Sequence, residues 1–144
     1  MDLEIRDKFI SVWTDYFPGA ELPVVFYYTN DEGCAEKAKA PVGHRCIVAA
    51  LAPVRKGRPL CFDAQSAGCG GARRYLGFSD EVGPDFTFFL SYGIPGKVEG
   101  ERYKRSPELV QKFLDNSTLF KAPGRLIVFK RWDSINEFDE PEGV

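Results

Sequence analysis

The residues best suited to chemistry lie in one stretch, residues 44–78, which holds three of the four cysteines and the single histidine. Cys46, Cys61 and Cys69 supply thiolates, which are soft ligands for zinc, copper(I) or iron–sulfur clusters. With His44 they would complete the four ligands of a structural zinc site. Their spacing is long and irregular and includes no C-x-x-C pair. Free cysteines also pack as small apolar side chains, so a metal or cluster cofactor is one hypothesis beside core packing.

A reactive thiol is the second hypothesis. Cys69 lies in the Gly-Cys-Gly-Gly run of residues 68–71, just before a predicted short helix. A cysteine at a helix N-terminus beside Arg73 and Arg74 is typically more nucleophilic than a free one. Catalysis would also need a base, and His44 is the one histidine available. Cys69 and His44 are therefore the candidate catalytic pair, unless the glycines serve only a tight bend and the cysteine fills space.

Anion binding is the third hypothesis. Gly70 and Gly71 open the predicted helix, where free backbone N–H groups can bind a phosphate or carboxylate. Six basic residues accompany one acid in this stretch, a local excess of about five in an acidic protein. No Gly-Lys-Ser/Thr follows the glycines, so this is not a P-loop, and a solvated basic face is an equal alternative. The predicted ligand-binding residues are Cys46, Cys61, Gly70, Gly71, Arg45, Arg73 and Arg74.

Composition narrows the class of protein. The chain has 144 residues and a formal net charge of −2, which favours one domain and argues against a general nucleic-acid binder. No apolar run approaches the ~20 residues of a membrane span, and the N-terminus has no apolar signal core. We therefore expect a cytoplasmic protein with free thiols and without nucleic-acid or membrane partners. Its expected partner is a small-molecule or anionic ligand, with a homo-oligomer as a further candidate.

The spacing of apolar residues and the positions of glycine, proline and capping residues predict alternating helices and strands. The first helix, residues 2–17, is amphipathic with Asp2 as its cap, and the last begins at Ser106 with a proline and an acid in the first turn. A helix or loop is expected over residues 34–40, and the loop 93–105 is a candidate lid. The other predicted elements are strands at 23–29, 60–62, 86–92 and 125–132, a buried helix at 44–52 and a short helix at 72–76.

These elements favour an α+β fold, with a mixed or mostly antiparallel sheet covered by helices. We expect residues 1–132 to form a single domain. Residues 133–144 carry five acids and no base, and we expect an acidic tail or linker there.

The Gly-Cys-Gly-Gly-Ala-x-x-x-Leu-Gly run of residues 68–77, with Cys46 and Cys61, resembles the family called domain of unknown function 169. The similarity extends to residues 23–25, 100–103 and 126–132. Family members tend to be longer, so the resemblance implies a truncated or short member. It implies no established activity, and its motif cysteines correspond to Cys46, Cys61 and Cys69.

Two functions follow from these patterns. The clustered thiols, glycines and basic residues favour a protein that binds a small ligand, metal or cofactor, with enzymatic activity uncertain. The aromatic strands and the incomplete catalytic set favour instead a non-catalytic module for protein interaction or self-association.

Overall fold

A four-stranded sheet forms the centre of the computed structural model, which describes residues 1–43 and 45–143. Its strands are β1 (Val24–Thr29), β2 (Glu36–Lys37), β3 (Leu60–Phe62) and β4 (Leu126–Arg131), in the order β1-β4-β3-β2. Strand β4 is antiparallel to both β1 and β3, and β2 is parallel to β3. The predicted α+β class with a mixed sheet is confirmed. Strand β2 replaces the helix or loop expected over residues 34–40.

Side-chain alternation gives the sheet two different faces. On the helix-covered face, the buried side chains are Leu60, Phe62, Ile127 and Phe129. On the opposite face, here called the thiol face, they are Tyr27, Cys61, Leu126 and Val128. Strand β4 is central, so Leu126 through Lys130 are all buried whichever way they point.

Two one-turn helices cover the first of these faces, α2 (Ile47–Ala50) and α3 (Ala52–Arg55). Val54 is fully buried against the sheet. The prediction of one buried helix over residues 44–52 is wrong: Leu51 separates the two turns, and Val48 is 71% exposed. Pro53 has no backbone N–H to continue the helical hydrogen bonds, so it sits in the first turn of a new helix.

The first helix and the C-terminal segment pack on the other side. Helix α1 (Leu3–Tyr16) has Asp2 as its N-cap, as predicted, and its Phe9 ring lies 4.3 Å from that of Trp132. A 3₁₀ turn, Trp132–Ser134, follows β4. Asp139 is only 4% exposed, and Gly143 bridges to Phe26 of β1. Ile135, Asp139 and Gly143 therefore attach the segment 133–143 to the domain, where we expected an acidic tail or linker.

Three further helices connect β3 to β4: α4 (Gly70–Tyr75), α5 (Phe86–Phe89) and α6 (Pro107–Asp115). The predicted strand at residues 86–92 is wrong. Phe89 N–H donates to the Asp85 carbonyl and Leu90 N–H to that of Phe86, so the segment is a helical turn that packs against α6. Its aromatic residues favour strands only where a neighbouring strand is present, and none of the described strands pairs with it.

Candidate functional site

A cavity of about 260 Å³ lies on the helix-covered face of the sheet, between β2, β3, α2 and the loop that precedes α4. Strand β3 forms part of the lining, because its alternate side chains point towards the cavity. Its apolar lining includes Leu60 and Phe62 from β3, Ile47 and Ala50 from α2, and Ala67. The cavity therefore has an apolar floor that the sheet and α2 hold in place.

Basic side chains surround the opening of this cavity. One of them is paired with an acid: Arg58 donates to Glu36 at 2.8 Å. Lys39 and Arg45 also line the cavity, and neither forms a hydrogen bond or ion pair with residues 1–43 or 45–143. The opening therefore has an excess of positive charge that this contact does not neutralise.

A close backbone contact brings two predicted site segments together. Gly68 has φ +75°, and a Cβ there would lie 2.5 Å from the carbonyl oxygen of Arg45. Only glycine fits such an approach at a positive φ. Arg45 and Cys46 are therefore held beside Gly68 and Cys69, at the edge of the cavity, although they are more than 20 residues apart in the chain.

The two cysteines at this contact have different surroundings. Cys69 is the N-cap of α4, and its Sγ accepts a hydrogen bond from the Ala72 N–H at 3.3 Å. Cys46 precedes α2 and is exposed, with no side-chain capping bond. His44 lies outside the described residues, so the catalytic pair of Cys69 and His44 stays a prediction.

The remaining residues of the predicted anion site do not face the cavity. Gly70 and Arg73 line a separate, open groove beside Phe78 and Glu81. Arg74 is buried, and its Nη1 donates to the Asp80 carbonyl at 2.7 Å, so it supports the turn after α4. Gly71 follows Gly70 in the first turn of α4 and has no neighbour within 4 Å of a Cβ built on it.

Cys61 is on the thiol face and is only 1% exposed. Its position between Leu60 and Phe62 forces it to point away from the cavity, which corrects its assignment as a residue of a shared site. The Cys61 thiol donates to the Ala35 carbonyl at 3.6 Å and packs beside Cys34. Burial, together with the neighbouring Cys34 thiol, raises the pKa of Cys61 to about 11.

No metal site is formed by the part of the chain that the structure describes. Within residues 1–43 and 45–143, no three side chains of His, Cys, Asp or Glu are grouped so as to hold an ion. Cys61 lies on one face of the sheet, and Cys46 and Cys69 lie at the edge of a cavity on the other. The three motif cysteines therefore do not supply a shared ligand set.

A buried ionic cluster on the thiol face was missed from the sequence. Lys130 Nζ lies 2.8 Å from both carboxylate oxygens of Asp139, and the Tyr27 hydroxyl donates to the same carboxylate at 2.7 Å. Burial alone would raise the pKa of Asp139, but bonds from Lys130, the Asn136 N–H and Tyr27 lower it overall. Nothing local distinguishes Asp139 from the other acids of its segment, so no sequence signal could have found it.

Lys39 could have been found from the sequence. It lies in the run Lys37-Ala38-Lys39-Ala40, whose alternation of basic and small residues is typical of a short strand and its continuation. The prediction of a helix or loop there hid the pattern.

The loop at residues 93–105, predicted as a candidate lid, is tied to the end of α5. Glu101 N–H donates to the Phe89 carbonyl at 2.7 Å, and Arg102 N–H to that of Ser91 at 2.8 Å. A Cβ on Gly100 would lie 2.4 Å from the Gly93 nitrogen, so the two ends of this part of the loop pass close to each other. The loop does not line the cavity between β2 and β3.

A family model for DUF169, described as an uncharacterised ArCR family, matches residues 20–144. The chain belongs to this family. No curated protein and no solved structure matches it. None of the helices in the described ranges is both long enough and apolar enough to cross a lipid bilayer.

The glycine-rich motif that carries the DUF169 resemblance has clear structural roles. Gly68 permits the approach to Arg45, and Cys69 caps α4. Gly77 has φ +76°, and a Cβ there would lie 2.4 Å from the Ala122 nitrogen. Ala72 is buried between these points. The motif therefore builds the edge of the cavity and attaches α4 to the segment before β4.

Proposed function

We propose that this DUF169 protein binds a small anionic ligand with an apolar portion, in the cavity between β2, β3 and α2. One observation carries the proposal: the cavity combines an apolar floor with two basic side chains, Lys39 and Arg45, that have no partner within the described ranges. A ligand carboxylate or phosphate would supply that partner. The proposal concerns binding and assigns no reaction.

The size of the cavity limits the ligand. Its volume of about 260 Å³ lies just below the ~300–1,000 Å³ of typical small-molecule sites, so the ligand is metabolite-sized. The apolar part would contact Leu60, Phe62 and Ile47, where burial of apolar surface favours binding. The anionic part would lie at the opening, where Arg45 can donate two parallel hydrogen bonds to one carboxylate.

Titration calorimetry with 2-naphthoate, a small aromatic carboxylate, tests this proposal. Arg45→Gln should weaken binding by about tenfold or more, because a hydrogen bond to a charged group contributes ~1.5–3 kcal/mol. Lys8→Gln on helix α1, which lies away from the cavity, should leave the affinity unchanged. Naphthalene-2-carboxamide, the neutral analogue, should bind more weakly to the wild type.

Ala50→Leu adds an independent arm to the same experiment. Ala50 lines the cavity, so the larger side chain should fill part of it and exclude the probe without removing any charge. Equal affinity in wild type, Arg45→Gln and Ala50→Leu would exclude binding in this cavity.

Self-association is the second candidate function, and one surface favours it. Ile5, Val12 and Tyr16 are exposed and recur at helical spacing along one side of α1. A second copy of the chain could cover this ridge. Sedimentation equilibrium of wild type and Val12→Lys distinguishes the candidates: a dimer that the substitution dissociates supports self-association, and a monomeric wild type removes it.

We also propose a cytoplasmic location, because four free thiols suit a reducing compartment. Localisation of a tagged protein in its native host tests this directly.

A further inference from the structure

Two cysteines meet on the thiol face of the sheet. Cys34 packs against the cluster that contains Tyr27, Cys61 and Val128. The Cys61 thiol donates to the carbonyl of Ala35, the residue next to Cys34, and the two thiols are near enough for each to shift the pKa of the other. The contact is long-range, since 27 positions separate the two residues in the chain.

The neighbouring backbone holds the pair in place. Strand β2 begins two residues after Cys34 and runs parallel to β3, with Lys37 opposite Cys61. The Ala38 N–H donates to the Cys61 carbonyl at 2.8 Å. Cys61 is therefore fixed within a strand, and Cys34 is fixed by the start of its partner strand.

The two thiols differ in access. Cys61 is fully enclosed, whereas Cys34 is partly exposed. A reagent in solution can reach Cys34 first, and Cys61 can then react only with the sulfur beside it. This is the arrangement of an entry thiol and a resolving thiol.

We propose that Cys34 and Cys61 form a reversible disulfide by exchange with a small-molecule disulfide such as oxidised glutathione. The Cys34 thiolate attacks one glutathione sulfur, which forms a mixed disulfide and releases one glutathione thiolate. The Cys61 thiolate then attacks the Cys34 sulfur and displaces the second glutathione. Two electrons pass from the cysteine pair to the small disulfide, and the two protons lost by the cysteines are taken up by the released thiolates.

The other two cysteines do not belong to this pair. Cys46 and Cys69 follow Arg45 and Gly68, which line the cavity on the opposite side of the sheet from Cys61. The disulfide ties the segment before β2 to β3 and involves no residue that lines the cavity. The inference is therefore independent of the proposed ligand.

The pH dependence of closure provides a signature. Burial is the main cause that raises the pKa of both thiols, to about 11 for Cys61. Only the thiolate attacks a disulfide, so the closing rate should keep rising above pH 8.5, the ordinary value for cysteine. At neutral pH the pair should close slowly.

Intact-mass spectrometry after treatment with oxidised glutathione tests the proposal, in a Cys46→Ser/Cys69→Ser background that keeps only the pair. Serine is a good N-cap, so α4 should tolerate the change at Cys69. We expect a product that has lost two hydrogen atoms and retains no glutathione, and dithiothreitol should reverse it. Peptide mapping should show Cys34 joined to Cys61.

Cys34→Ser in the same background is the matched control. It removes the partly exposed thiol and leaves the buried strand intact, so it should fold and give no internal disulfide. Three outcomes would overturn the proposal: a glutathione adduct on Cys34 as the final product, a disulfide between two chains, or no reaction of the folded background protein over the whole range up to pH 10.

Discussion

The two faces of the sheet bury similar apolar side chains but hold charge in opposite ways. On the helix-covered face, Leu60 and Phe62 form the floor of a cavity, and the charges of Lys39 and Arg45 stay at its opening. On the thiol face, Lys130 and Asp139 are each 4% exposed and are paired with one another. One face is open, with charges that have no partner in residues 1–43 or 45–143, and the other is closed, with both carboxylate oxygens of Asp139 bonded.

Because of this difference, we expect the charges of the two faces to contribute to different properties, one set to stability and the other to ligand binding. A buried charge is tolerated only when its partners are in place, because an unpaired ion in the interior costs several kcal/mol. A charge at an opening keeps its hydration and can exchange water for a ligand. Substitutions on the thiol face should therefore lower the free energy of unfolding, and substitutions around the cavity should weaken the binding of the proposed ligand.

The largest expected effect is that of Asp139→Ala. The variant leaves the Lys130 ammonium buried without its carboxylate, so we expect a loss of about 3–5 kcal/mol in the free energy of unfolding. Urea unfolding followed by far-UV circular dichroism measures it. Asp133→Ala is the control: its pair with Arg131 is about 30% exposed and should contribute less than about 1 kcal/mol.

A double replacement sharpens the same test. Lys130→Met with Asp139→Leu removes both charges, so it should recover much of the loss, because apolar side chains of similar size often replace a buried ion pair without penalty. Equal losses in the Asp133 and Asp139 variants would show that the two faces do not differ in this way.

Gly68→Ala should have the next largest effect, on the cavity side. Its φ of +75° costs an L-residue about 1–2 kcal/mol, and the new Cβ would push against the Arg45 carbonyl. We expect a lower midpoint of thermal unfolding and weaker binding of 2-naphthoate. Gly70→Ala is the matched control, since its Cβ meets nothing within 4 Å. A destabilised Gly70→Ala with a neutral Gly68→Ala would contradict the assignment of this contact.

A smaller effect concerns pH and Asp63, the carboxylate that pairs with Lys37 just after β3. Burial would raise its pKa, but bonds from Lys37, Ser66 and Gln65 lower it to about 2. The folded value is below the unfolded value of ~3.9, so the contribution is complete above about pH 4 and is lost as pH falls through 2.

Unfolding free energies measured between pH 2 and 5 should show this contribution as about 1 kcal/mol, reduced by solvent screening because the Lys37 side chain is exposed. Asp63→Asn should flatten the slope in this range, and Lys37→Met should flatten it in part. An unchanged slope in both variants would show that the pair does not lower the pKa of Asp63.

The smallest effect is confined to thiol chemistry. Iodoacetamide should modify exposed Cys46 far faster than Cys61, because burial raises the pKa of Cys61 to about 11. The thiolate fraction alone should slow Cys61 by on the order of a hundredfold relative to a free cysteine. Peptide mapping at timed intervals measures both rates, and comparable labelling of the two would mean that the thiol face is open.

Local sequence signals predicted the helices that have a clear N-cap or an amphipathic pattern over several turns. The Ser106-Pro107-Glu108 signal gave the start of α6, and the amphipathic pattern gave both ends of α1 within one residue. The short aromatic segment at residues 86–92 did not, because over so few positions the helical and strand periods cannot be separated. There, the contact of α5 with α6 decided the outcome.

The residues around the cavity could be predicted only in part. The sequence singled out Arg45, Cys46 and Cys69, and the structure brings them to one edge through Gly68. It grouped Cys61 with them because the residues are near in sequence, whereas the strand directs its side chain to the other face. Local order in the chain carries no information about which face a strand residue presents until its neighbours are known.

The sequence by itself determined the family, the α+β class and the elements whose signals extend over a few residues. Only the tertiary structure decided which charges are buried and which thiols meet. The reason is the range of the interactions: a cap or a helical period acts within one or two turns, whereas the Tyr27 hydroxyl reaches Asp139 across 112 positions of the chain. Such pairings depend on how the whole sheet is covered, and no local pattern encodes them.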